Sequence, residues 1–232
     1  MTDHRWFIPE LDDPSDISGH ERAFASALSE ATAALVQPGE HVHDLLIPAA
    51  YAGHGQDTLV AGLGISGWLA DRPLIALLDF GVHFSGRRVR GGRLHNQLYH
   101  LSGKTPSLSL DARGGIDSLA GKTAAWFEAV LRRPVVLHVW THEGRAYAGR
   151  YEFADTHETL GQAYTRAAAP RGQYERVIAA GHVHGRGWLQ TAGLPVPDLY
   201  TPVRGDMERA QIPDGASLGE ARGLVANSQW YE

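Results

Sequence analysis

Thirteen histidines in a chain with no cysteine set the terms for any chemistry. Without thiols there are no disulfides, thiolate metal sites or cysteine nucleophiles, so a metal could be held only by His, Asp or Glu. Two stretches have the H-x-H spacing, Gly181-His182-Val183-His184 and His41-Val42-His43-Asp44. Alternate residues of a strand point to one side, so such a pair can share an ion. Asp155-Thr156-His157 adds a carboxylate and another imidazole. Together His182, His184, Asp155 and His157 could ligate a divalent metal such as Zn, through neutral imidazoles. The plainer reading of these residues is a polar, glycine-rich turn whose histidines bond to backbone groups. His41-Val42-His43-Asp44 reads as the entry to a strand.

Gly181-His182-Val183-His184 resembles the closing GHxH motif of calcineurin-like metallophosphoesterases, and Asp155-Thr156-His157 is similar to that family's D-x-H. The resemblance covers these few residues and implies a metal-dependent hydrolase; a mononuclear site is the form the residues allow. Gly62, Gly64 and Gly67 spell G-x-G-x-x-G, with Asp79 closing the next strand. That resembles the dinucleotide-binding fingerprint. The segment between Gly67 and Pro73 is short for a crossover helix, and the alternative is a glycine-rich loop between two strands. Gly121-Lys122-Thr123 and Gly103-Lys104-Thr105 lack the first glycine of a phosphate-binding loop, since Ile116 and Leu98 stand there. Neither Ser66 nor Ser102 lies in a G-x-S-x-G elbow.

The elements that must position these groups are clearest between Asp117 and Asp155. Leu119, Thr123, Trp126, Phe127, Val130 and Leu131 recur at helical spacing, with Asp117 as the capping residue. Arg132 and Arg133 suit the last turn, and Pro134 ends the helix. Val135 to His142 and Arg145 to Phe153 then read as the arms of a β-hairpin turning at Glu143-Gly144. An unbroken register places Trp140 opposite Tyr147 and Val136 opposite Tyr151. His138 and Phe153 join them on one buried face, and Arg150 and Glu152 fall on a partly covered opposite face.

Elsewhere, Ser18 and Glu21 match a capping box before an amphipathic run from Ala23 to Leu35. Strands are expected at 43–50, 58–61, 74–80, 82–90, 94–101 and 107–110; 58–61 also suits the start of a short helix. Weak helical character covers 158–169, and a short helix covers 174–180, ended by Gly181. Proline makes 193–202 extended. Ser217 and Glu220 open a last short helix. This mixture gives an α+β fold, a mostly antiparallel sheet with flanking helices in a single domain spanning 1–232. Residues 1–17, with Trp6, Phe7 and Ile8, and residues 213–232 are candidate docking arms.

A formal charge of -5 argues against non-specific nucleic-acid binding. No apolar run reaches membrane-spanning length, and the first residues carry no signal core, so a cytoplasmic protein is expected. The failed catalytic motifs and the aromatic residues near both ends rank a non-catalytic binding or assembly subunit first. Its partners would be other protein chains, copies of itself included, and it would need no cofactor. A histidine-dependent metal hydrolase ranks second and a nucleotide-binding enzyme third.

Overall fold

The computed structural model describes residues 6–8, 17–35, 42–48, 58–69, 72–95, 99–101, 106–184 and 188–210. Helices and antiparallel strands follow one another without strict alternation, an α+β arrangement. The chain gathers into two compact units, residues 1–66 with 78–131 and residues 67–77 with 132–232.

The first unit is built on a sheet with the strand order β1 (Val42–Ile47), β2 (Leu59–Leu69), β3 (Arg72–Phe84), β4 (Arg88–His95), β5 (His100–Leu101), and β6 (Leu110–Arg113) alongside β4. Helix α1 (Gly19–Thr32) starts where the sequence places it. Ser18 Oγ accepts from the Glu21 N–H at 3.3 Å, and the Glu21 carboxylate accepts from the Ser18 N–H at 2.8 Å. Helix α2 (Ile116–Leu131) packs against α1. Their apolar faces meet one side of the sheet: Phe24 stacks on Phe84 at 4.2 Å, and Phe80 meets the edges of Trp126 and Phe127. Trp6 and Phe7 are buried, Phe7 stacking on Phe127 at 5.4 Å, while Ile8 is exposed.

Several boundaries differ from expectation for local reasons. Asp117 lies inside the first turn of α2, and Arg132 and Arg133 follow its last residue. β3 runs through Val82 to Phe84, and the chain reverses at Ser85-Gly86-Arg87, where Gly86 takes φ +63. A strand beginning at Val82 is therefore not formed, and β4 starts at Arg88. Pro106–Leu108 is a single 3-10 turn before β6. Gly62, Gly64 and Gly67 all lie within β2, neither in a loop nor in a strand-to-helix turn. Close packing accounts for two of them: a Cβ on Gly62 would sit 3.0 Å from the Phe80 carbonyl oxygen, and one on Gly64 would overlap the His43 imidazole.

The second unit holds a four-stranded antiparallel sheet in the order β12 (Leu199–Arg204), β7 (Val135–His142), β8 (Arg145–Phe153), β9 (Glu158–Tyr164). The β7–β8 turn is at Glu143-Gly144, with φ +49 and +73, the left-handed pair that matches strand twist. Helix α3 (Gln173–Ala179) ends near Gly181 at φ +83, as the sequence implies. It is followed by the short pair β10 (Val183–His184) and β11 (Trp188–Leu189). Residues 158–164 form an edge strand, which corrects the helix expected across 158–169. The 1–17 arm is described only in part, and 213–232 with its capping box lies outside the described residues.

The hairpin register also departs from expectation. Thr141 pairs with Ala146, but Trp140 pairs with Ala148, leaving Tyr147 as an extra residue on the returning strand. Beyond this bulge every partner shifts by one. Val136 faces Glu152, His138 faces Arg150, and Leu137 faces Tyr151. Trp140, Tyr147, Val136 and Tyr151 are all buried, but they do not share one face, because a one-residue slip inverts the sides of a strand. Arg150 and Glu152 consequently belong to the same buried side as His138 and Trp140.

Candidate functional site

That inverted side builds a polar centre in the second unit. Tyr200, His138, Arg150 and Gln162 are consecutive cross-strand partners from β12 to β9, with Glu152 one step along β8. The segment after β9 covers the apolar end. Trp140, Tyr147 and Ala148 cluster with Tyr164, Ala168, Ala169 and Leu194, and Trp140 Nε1–H donates to the Pro195 carbonyl at 2.7 Å. Gln173 Nε2–H donates to the Tyr147 hydroxyl at 3.0 Å. Burial raises Tyr147 above the ordinary phenol value and pushes Tyr164 up to about 12.

Glu152 is the hub. Its side chain is 3% exposed, and its carboxylate lies 3.1 Å from His138 Nε2, 3.1 Å from His157 Nδ1 and 2.9 Å from Arg150 Nε. Burial pushes this acid upward. The hydrogen bond and charge of His138, the hydrogen bond of His157 and the charge of Arg150 overcome that and bring it down to about 2. An ionised carboxylate only accepts, so the nitrogens facing it must carry protons. Arg150 Nη2 donates to His138 Nδ1 at 3.1 Å, so that nitrogen is an acceptor, and the neutral form of this ring carries its proton on Nε2. The Tyr200 ring lies 4.3 Å from the His138 ring and closes that side. The Arg150–Glu152 contact is an ion pair without a directed Nε–H bond.

His157 differs from His138 in exposure. It sits in the turn between β8 and β9 at φ +57, a region costly for non-glycine residues, with its N–H on the Phe153 carbonyl at 2.8 Å. Its Nδ1–H donates to Glu152 Oε1, and its side chain is 53% exposed. When neutral, the ring therefore carries its free lone pair on Nε2. A buried carboxylate, an imidazole fixed by it and an available nitrogen form the arrangement that general-base or metal-ligating histidines use.

The other residues of the H-x-H and D-x-H motifs have different surroundings. Asp155 is clamped by Arg133, through Nη2 at 2.8 Å and Nε at 3.1 Å, and that guanidinium stacks over the Phe153 ring at 3.6 Å. The His182 ring packs against Gly193, and its carbonyl accepts from the Gln190 N–H at 2.9 Å. His184 lies in β10, and its side chain is outside the described residues. Among the described residues no group of three or more His, Asp or Glu is placed to hold a metal ion. In the first unit, His43 lies over Gly64, with Asp79 Oδ1 2.9 Å from where a Gly64 Cβ would be. His83 is buried there, donates from Nε2 to the Tyr99 carbonyl at 2.8 Å, and is lowered chiefly by burial.

Of the motif residues whose side chains are described, His157 alone enters the polar centre. Sequence reasoning missed Glu152, His138, Arg150, Gln162 and Tyr200. The available signal was Arg150-Tyr151-Glu152, charged residues alternating inside an aromatic strand. No protein-family model matches the chain, and neither a curated protein nor a solved structure does. No helix among the described residues is long and apolar enough to cross a membrane.

Proposed function

We propose that the chain is a histidine-dependent enzyme of hydrolytic type, with His157 as general base and Glu152 as the carboxylate that orients it. The observation that carries this reading is the 3.1 Å bond from His157 Nδ1–H to the buried Glu152. It leaves Nε2 able to take a proton from water or a substrate hydroxyl, a contribution of roughly 10²–10⁴ in rate. Glu152 stays ionised at neutral pH, so it can stabilise the imidazolium that forms without itself taking the proton. Sequence alone ranks an assembly subunit first, partly on the aromatic residues near both ends. Trp6 and Phe7 are buried in the first unit and serve its own core, and the other arm lies outside the described residues. That shifts the weight to the oriented imidazole.

The test is hydrolysis of a panel of nitrophenyl carboxylic and phosphoric esters by the purified protein. Turnover is expected, and His157→Gln should lower kcat/KM about 100-fold or more, within the range for a lost general base, with an unchanged circular dichroism spectrum. Wild-type protein no faster than buffer across the panel, or a His157→Gln variant with full activity, would overturn the proposal and favour a non-catalytic binding role.

A further inference from the structure

We infer that Arg150 and Gln162 form a receptor for an oxyanion, so that the substrate of the proposed site carries a phosphate or carboxylate group. The receptor stands on its own geometry; its being a substrate site rests on the His157 reading. Arg150 and Gln162 are direct partners across β8 and β9, which brings their side chains together on one face, about 5 Å apart at Cβ. The amide of Gln162 has a fixed orientation. Its Oε1 accepts from the Thr191 N–H at 3.0 Å and from the Thr191 hydroxyl at 2.7 Å. A backbone N–H can only donate, so the oxygen and not the nitrogen faces the buried Thr191. The Gln162 NH₂ has no partner among the described residues, and the side chain is exposed.

Arg150 is likewise committed on one side and open on the other. Nη2 is bonded to His138, Nε faces Glu152, and Nη1 has no partner among the described residues; the side chain is 17% exposed. The open groups are thus the Nη1 N–H groups of the guanidinium and the amide NH₂, all of them donors. The nearby carboxylate, Glu152, is buried and occupied by His138, His157 and Arg150. Donors that include a fixed guanidinium favour an anionic oxygen over a neutral one. His157 is joined to the same carboxylate as Arg150, which sets both groups around Glu152.

Calorimetric titration with inorganic phosphate, and separately with acetate, tests this on the full chain. Saturable binding of at least one is expected to wild type and to His157→Gln alike, and the preferred anion assigns the substrate class. Gln162→Glu keeps the acceptor for Thr191 but sets a negative charge among the donors, and should weaken binding at least tenfold. Arg150→Gln should do the same, but it disturbs a buried ion pair, so the Gln162 variant decides the matter. No saturable binding of either anion, or binding unchanged by Gln162→Glu, would overturn the receptor. Anion binding by a wild-type protein without ester turnover would support the receptor and remove the enzymatic reading alone.

Discussion

At the scale of single residues, the network around Glu152 fixes protons as well as positions. An ionised carboxylate on His157 Nδ1 requires the proton on that nitrogen and leaves Nε2 bare. His138 has the opposite assignment, because Arg150 can only donate to its Nδ1. The two imidazoles on one carboxylate should therefore be opposite tautomers in their neutral forms. Nitrogen-15 spectra of histidine-labelled protein above pH 8, with the two signals assigned by His→Gln variants, should show His157 protonated at Nδ1 and His138 at Nε2. Glu152→Gln should remove this split, because a neutral amide holds neither ring firmly. Both rings in the same tautomer in the wild type would show that the bond behind the proposed base is not made.

At the scale of elements, what was legible in the sequence was local. The Ser18–Glu21 capping box, the left-handed Glu143-Gly144 turn and the Gly181 helix stop each need only a few neighbouring residues. What was not legible depended on partners distant in the chain. The extra residue at Tyr147 is not written in its own strand; it lies beside Trp140, whose indole donates to the distant Pro195 carbonyl. That one insertion moves Glu152 from an expected outer face to the centre of the site. β9 was missed because Glu158-Thr-Leu-Gly-Gln-Ala-Tyr has little alternation, as an edge strand with one half-covered side can afford. The candidate site was accordingly half readable, with His157 named but its carboxylate assigned to the wrong side. The seating of Trp140 is open to test. It is 2% exposed, with Tyr147, Leu194 and the Pro195 loop around it. Trp140→Ala should cost about 3–5 kcal/mol by cavity formation and loss of the apolar contact. Urea unfolding checks this, and an unchanged midpoint would mean the indole is not packed in the core as described.

For the molecule as a whole, the buried carboxylate links stability to acidity. The folded value of Glu152 is about 2 against an ordinary 4.5. A depressed folded value means the folded state holds the charged form more firmly than the unfolded chain does. The contribution is therefore fully present above about pH 4.5 and is lost as pH falls from there towards 2. The drop corresponds to about 3 kcal/mol, applicable here because the side chain is almost wholly enclosed. Exposed acids are also held low, Asp111 by Arg88 and Glu175 by a backbone hydrogen bond and then Arg166, but solvent screening makes them minor. Glu152→Gln separates the hub from these surface acids. At pH 7 the variant should be less stable, because Arg150 is left without its buried partner. As pH falls from 4.5 to 2.5 its stability should decline less steeply than that of the wild type, since the group that takes up the proton is gone. Urea midpoints at half-unit pH steps, followed by circular dichroism, give both curves. Parallel slopes for the two proteins would show that Glu152 does not carry the acid sensitivity and that its ion pairs are weaker than their geometry implies.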